Sequence, residues 1–156
     1  AVVTVTRPGN AGANNRGVWA VRNASESTGA GSDGGWFGLD QPGTTYRLNY
    51  KPPGGNVFSS ASLVVADIDA SYIHYAQNEE YAVNRRALVQ EGAEAIAADN
   101  TTRTAFTPSR IQIGQRPDNA RFVGLLKVLI VYPFTLGSAQ RAANNAVLAS
   151  RFGITL

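Results

Sequence analysis

Phe122-Val123-Gly124-Leu125-Leu126-Lys127-Val128-Leu129-Ile130-Val131-Tyr132, preceded by Ile111-Gln112-Ile113-Gly114, governs how the rest of the chain is read. Val128, Ile130 and Tyr132 alternate with Lys127, Leu129 and Val131, which is the two-residue period of a β-strand. Both faces are apolar, so the strand is expected in the middle of a sandwich, covered on both sides. Residues 111–114 form a second strand just before it. After Pro133 the period changes. Ser138 is the expected N-cap of a helix over 139–151, and Gly153 its C-cap. Val147 and Leu148 are then expected to pack on the sandwich.

Upstream, residues 1–6 alternate Val with Thr and read as a strand that Arg7-Pro8-Gly9-Asn10 breaks. In the next strand, 17–22, Val18 and Ala20 face one way and Trp19 and Val21 the other. Residues 23–35 are rich in Ser and Gly and are expected as a surface loop. Strands follow at 36–39 and 44–50, joined by Asp40-Gln41-Pro42-Gly43, which fits a β-turn. Pro52-Pro53-Gly54-Gly55 makes a stronger break before the apolar run 61–68. Residues 72–75 and 81–83 read as strands around a hairpin tip at Gln77-Asn78-Glu79. The stretch 87–98 holds helix formers, but Gly92 sits in its middle, and two short strands around a turn fit the surroundings better.

Composition agrees with an all-β chain. At 156 residues one domain, 1–156, is expected, and such a chain buries roughly 70% of its unfolded surface. It is 44% hydrophobic and 16% charged, and its sixteen Gly and seven Pro supply turns at short intervals. There is no cysteine, which excludes disulfides, thiolate metal sites and Cys nucleophiles. No apolar run reaches the roughly 20 residues of a membrane span, and membrane insertion is not expected. The net charge is +3, but the twelve Arg and two Lys are scattered, with Arg85-Arg86 the one adjacent pair. Nucleic-acid proteins concentrate such charge on one face, so no nucleic-acid partner is expected.

The strand pair at 111–114 and 122–132 resembles the concanavalin A-like lectin/glucanase superfamily, laminin-G type. Its members often read as an "IG" strand, an "F-x-G-x-I" turn into a long strand, and an "xxIY" ending. Phe134-Thr135-Leu136-Gly137-Ser138-Ala139-Gln140-Arg141 is similar to the family's link to its last helix. Leu148-Ala149-Ser150-Arg151-Phe152-Gly153-Ile154 looks like the ending common in bacterial and phage versions. Upstream, Tyr75-Ala76-Gln77-Asn78-Glu79 occupies the place of a strand ending in "yvNG", with Glu79 where Gly usually falls. The resemblance covers roughly the last third of the chain. It implies a jelly-roll β-sandwich of two antiparallel sheets with a short C-terminal helix. It also implies an extracellular or virion-surface setting, such as a phage tail or other virion adhesin or a secreted bacterial protein. Phe122 is expected to plug the sandwich edge, and Gly124 to let the chain bend closely into the strand. These residues identify a fold and carry no chemistry.

Catalysis is hard to assemble from the side chains. His74 is the only histidine, and no G-x-S-x-G elbow accompanies it. Jelly-roll glycosidases of this superfamily carry an "E-x-D-x-x-E" run. The nearest approach is Asp67-Ile68-Asp69, two acids expected on one strand face without a third. The chain is therefore expected to be no enzyme. Asp67 and Asp69 are candidate calcium ligands, since laminin-G-type domains often bind calcium; capping a turn through Ser71 is the alternative. No cofactor is otherwise required.

Sugar recognition fits better, because aromatic faces stack on pyranoses while amides and Arg bond hydroxyls. Trp36, Tyr46, Asn49 and Tyr50 form one group, with Tyr46 and Tyr50 sharing a strand face opposite Asn49. Tyr72, His74, Arg85 and Arg86 form another. The expectation is a non-catalytic carbohydrate-binding or receptor-binding module for a polysaccharide or cell-surface glycan. Its ligand-binding candidates are Trp36, Tyr46, Tyr50, Tyr72, His74 and Arg86. The alternative is a structural or oligomerisation domain, as in a homotrimer or larger fibre.

Overall fold

The computed structural model describes residues 1–9, 15–22, 36–42, 44–51, 58–64, 67, 69–79, 85–90, 93–95, 109–115 and 121–155, with backbone alone at 15, 36, 42, 58–61, 78–79, 85–87 and 93–95. Among them the order is β1 (Val2–Pro8), β2 (Asn15–Arg22), β3 (Trp36–Pro42), β4 (Thr45–Lys51), β5 (Phe58–Val64), β6 (Tyr72–Glu79), β7 (Arg85–Gln90), β8 (Ala93–Ala95), β9 (Arg110–Ile113), β10 (Gly124–Val131) and α1 (Ser138–Phe152). The strands make two five-stranded sheets: sheet I, ordered β10-β1-β6-β7-β8, and sheet II, ordered β5-β4-β3-β2-β9. Every strand pairing is antiparallel. The two sheets face each other as a β-sandwich. Among the described residues no helix is long and apolar enough to cross a membrane.

Alternation along each strand divides the side chains between two layers. From sheet II, Trp19, Leu39, Tyr46, Leu48 and Leu63 point inward and meet Val2, Ala76 and Leu88 of sheet I. Trp19 and Phe37 pack edge to face at 5.5 Å. Burying one such aliphatic side chain contributes about 1.5–3 kcal/mol. On the other side of sheet I, Val3, Val5, Ile73 and Tyr75 join Leu136, Leu148 and Ala149 in a second apolar layer beneath α1. β1 is therefore buried on both faces from Val2 to Thr6.

Polar contacts fix the helix on that layer. Gln77 grips the backbone of Leu136 with both amide atoms, at 3.2 and 3.4 Å. The Tyr75 hydroxyl donates to the Arg141 carbonyl at 3.2 Å and also contacts Asn145 Oδ1. Gly153 closes α1 in the left-handed region (φ 64°), as its sequence position predicts.

Several expectations change. The strand of the opening motif runs over Gly124–Val131 and lies at the edge of sheet I, next to β1 alone. Its second apolar face is explained by α1. Phe122 does pack on the inter-sheet core, and Gly124 has φ 144°, where a Cβ would run into the Arg7 carbonyl oxygen and, at 2.9 Å, the Phe122 ring. The cap of α1 is Gly137, whose N–H donates to Gln140 Oε1 at 2.9 Å; Ser138 is already helical. Val147 faces solvent at 66% exposure, and Ala149 takes its place beside Leu148.

β3 continues through Asp40 and Gln41 to Pro42, pairing with β2, so no turn begins at Asp40. Residues 77–79 are no hairpin tip, because β6 runs through them and pairs with β7. In β2 a bulge at Val18 sends both Val18 and Trp19 into the core. β5 begins and ends earlier than the apolar run suggested, and β7 and β8 are the two short strands expected in 87–98. The loop expected at 23–35, the Pro-Gly break at 52–55 and the strand expected at 81–83 lie outside the described residues.

Candidate functional site

Four of the sequence candidates lie inside the sandwich. Tyr46 and Tyr50 share the inner face of sheet II, and both are buried. The Tyr46 hydroxyl shares a 2.8 Å hydrogen bond with Thr6 Oγ1, and burial holds its phenol above the ordinary pKa. Its ring lies 4.1 Å from that of His74, which is fully buried on β6. His74 Nε2 donates to Gln90 Oε1 at 3.0 Å, while Gln90 Nε2 donates to the Val64 carbonyl at 3.4 Å. That chain leaves Nδ1 as a bare acceptor without a hydrogen-bond partner. Burial pushes the His74 pKa down to about 4, against the smaller opposing effect of Gln90. Tyr72 is half-buried, and its hydroxyl donates to the Asp67 carbonyl at 2.9 Å and lies 2.8 Å from the Asp67 N–H. Tyr46, Tyr50 and His74 are thus packed in the interior, with Tyr72 half-buried beside them.

Asp67 and Asp69 do not share a strand face. They lie in the turn between β5 and β6, both exposed, where Asp67 Oδ1 accepts from the Asp69 N–H at 2.8 Å. That is an Asx-turn. Asp69 pairs with Arg7 at 2.9 Å. Among the described residues no group of three or more His, Cys, Asp or Glu is placed to hold a metal ion. Arg86 lies on β7 opposite Asn78 and Trp36 at the start of β3; their side chains are outside the described residues.

Register brings Trp36 into different company. Arg110 pairs with Arg22, Arg22 with Trp36, and Trp36 with Lys51, forming one row across β9, β2, β3 and β4. The next row is Gln112, Ala20, Gly38 and Asn49. One row further, Asp40 of β3 pairs with Arg47 of β4. The residues between these rows, Trp19, Leu39 and Leu48, form the inner core, so the described side chains of the rows lie on the outer face of sheet II. Arg22, Asp40, Asn49 and Lys51 are buried, Arg47 and Gln112 half-buried and Arg110 exposed.

The middle row has a low floor. A Cβ on Gly38 would run into the Trp19 carbonyl oxygen and stand 2.9 Å from Ala20 Cα. With Ala20 beside it, a floor of small residues lies between two amides, Gln112 and Asn49, and Ala20, Gly38 and Asn49 are all buried. The Oε1 of Gln112 is buried without a partner. Asp40 is the single carboxylate on this face among the described residues.

Sequence inspection missed Arg22, Arg47, Lys51, Arg110 and Gln112. The alternation Tyr46-Arg47-Leu48-Asn49-Tyr50-Lys51 carried the signal: every second residue is core, and the others are polar. Comparison with family models, curated proteins and solved structures gave no match to this chain.

Proposed function

We propose that the protein is a non-catalytic carbohydrate-binding module of concanavalin A-like jelly-roll type, and that it binds its glycan on the outer face of sheet II. The supporting observation is the paired rows there: cations and Trp36 in one, amides over a Gly/Ala floor in the next. Amides and guanidinium groups bond sugar hydroxyls, and Arg110 and Gln112 are the members of these rows that reach solvent among the described side chains. A lone carboxylate, Asp40, favours binding over cleavage, because glycoside hydrolysis uses two carboxylates. The setting this reading suits is a cell or virion surface. A glycan array followed by calorimetry tests it: binding is expected to fall for Asn49→Ala and Trp36→Ala while the fold is retained. No binding to any glycan at millimolar concentration overturns the reading.

One observation favours a second reading, a structural or oligomerisation domain. β10 is an edge strand of eight residues, and Leu125 and Val131 on it are 55% and 52% exposed. Long apolar edges pair readily with another chain. Light scattering separates the two readings: an oligomer dissolved by Leu125→Lys supports the second, and a clean monomer removes it.

A further inference from the structure

A chain of hydrogen bonds runs through the sandwich interior from β5 of one sheet to β6 of the other. The Val64 carbonyl can only accept, so the Gln90 amide turns its Nε2 toward it, at 3.4 Å. Gln90 Oε1 then faces His74, and the ring donates to it from Nε2 at 3.0 Å. A neutral imidazole that donates from Nε2 presents a lone pair at Nδ1. Directly across from His74, on β1, stands Thr4. Cross-strand partners share a face, with Cβ atoms about 4.5–5.5 Å apart. That face is the inner one, since Leu129, the partner of Thr4 on β10, packs on the inter-sheet core. Thr4 and His74 are 1% and 0% exposed.

Neither the Thr4 hydroxyl nor His74 Nδ1 has a hydrogen-bond partner in the protein. Buried polar atoms are nearly always bonded, to protein or to ordered water. The phenol groups beside the ring are taken: Tyr46 shares its hydrogen bond with Thr6, and Tyr72 bonds the backbone of Asp67. We infer that a single ordered water is bound between Thr4 and His74, donating one hydrogen to Nδ1 and bonding the Thr4 hydroxyl. Two hydrogen bonds of ordinary length, meeting at a water's tetrahedral angle, span roughly 4.6 Å, in keeping with the cross-strand spacing. Waters in such sites fasten otherwise unbonded groups and belong to the fold. This one carries the chain Val64–Gln90–His74 on to β1 and fixes His74 as the neutral Nε2–H tautomer.

The test uses nuclear magnetic resonance on the whole protein near neutral pH, where a single histidine makes the ring nitrogens identifiable at once. The expected spectrum is that of a neutral ring protonated at Nε2, with Nδ1 accepting a hydrogen bond. Cross-relaxation from a long-held water to the Thr4 methyl and the His74 ring is expected as well. Thr4→Val nearly keeps the shape of the side chain and removes its hydroxyl. It is expected to lose the water signal and to lower the folded-to-unfolded ratio in urea titrations by roughly tenfold, since Nδ1 and the water are left short of a partner. Thr4→Ser keeps the hydroxyl, and the water signal is expected to stay.

A Thr4→Val protein at least as stable as the wild type overturns the inference, because removing a hydroxyl that nothing bonds relieves a cost. A ring protonated at Nδ1 overturns it too. So does the absence of a held water near His74 in the folded wild type, with the Thr4 hydroxyl bonded directly to Nδ1. The wild-type spectrum decides the matter even where Thr4→Val fails to fold.

Discussion

The two sheets of this sandwich present outer faces of opposite character. On sheet I the outward side chains of β1 and β6 are Val3, Val5, Ile73 and Tyr75, and α1 lies over them with Leu148 and Ala149 buried. On sheet II the outward side chains of β2, β3, β4 and β9 are Arg22, Asp40, Arg47, Asn49, Lys51, Arg110 and Gln112. The inner faces pack against each other, with Thr4, Thr6, His74 and Gln90 of sheet I buried among the apolar side chains. Covering an apolar face removes it from water and stabilises the fold. Burying polar groups disfavours it unless they are bonded. Arg22, Asp40, Asn49 and Lys51 are buried on the polar face, and Arg22, Asp40 and Lys51 have interaction partners.

The largest expected effect is on the covered face. Ile73→Ala leaves a cavity between β6 and α1 and is expected to lower stability by about 2–5 kcal/mol in denaturant titrations. A loss below 1 kcal/mol means that α1 is not seated on sheet I as described.

Next in size is a pH effect from between the sheets. His74 is the only histidine, and its pKa is lowered from 6.5 to about 4 in the folded protein. The unfolded chain takes up this proton near pH 6.5 and the native state only near 4, so the unfolded state binds more protons in that window. Stability is therefore full above pH 6.5 and falls as the pH drops toward 4, by on the order of 3 kcal/mol. His74→Gln removes the titrating group. Unfolding free energies at pH 7 and 4.5 are expected to differ less in the variant than in the wild type; equal differences assign the acid loss to carboxylates instead.

How much of this was legible in the sequence depends on whether one strand suffices to decide the point. Tyr46 to Lys51 alternate cleanly, and the inward Tyr46, Leu48 and Tyr50 follow from that alone. The cation row does not, because it joins residues from four strands separated by loops, and register is invisible in any one of them. β10 misled for a different reason. A strand covered by a sheet on one side and a helix on the other has the same doubly apolar pattern as a central strand. Val18 broke its own period, since a bulge turns two successive side chains, Val18 and Trp19, to one face. Tyr72 and His74 were read as a binding group because aromatics and histidine serve both as ligand platforms and as core. Only the pairing with Thr4 and Gln90 places His74 inside, while Tyr72, opposite Thr6, is half-buried.

On the polar face, Gly38 supplies a smaller test. Its substitution by Ala adds a methyl that meets the backbone of β2 at Trp19 and Ala20, where no flexible side chain can yield. Overpacking of this kind costs about 1–3 kcal/mol. A loss below about 1 kcal/mol means that β2 and β3 are not packed as closely at Gly38 as described.

The smallest expected effect returns to the covered face and fixes its boundary. Val147 and Leu148 are neighbours on α1, yet Leu148 is 7% exposed and Val147 66%. Leu148 and Ala149 both point into the covered face, and Val147, about 100° back from Leu148, falls outside it. Val147→Ala removes an exposed branched side chain and installs the better helix former, and its effect is expected to lie within about 0.5 kcal/mol, on the stabilising side if measurable. Leu148→Ala, measured in parallel by denaturant unfolding, is expected to lose about 2–5 kcal/mol. If the order reverses, α1 is rotated by about one residue on sheet I. Ala149, Tyr75 and Asn145 would then not be the contacts that seat it, and the apolar face would be covered by a different side of the helix.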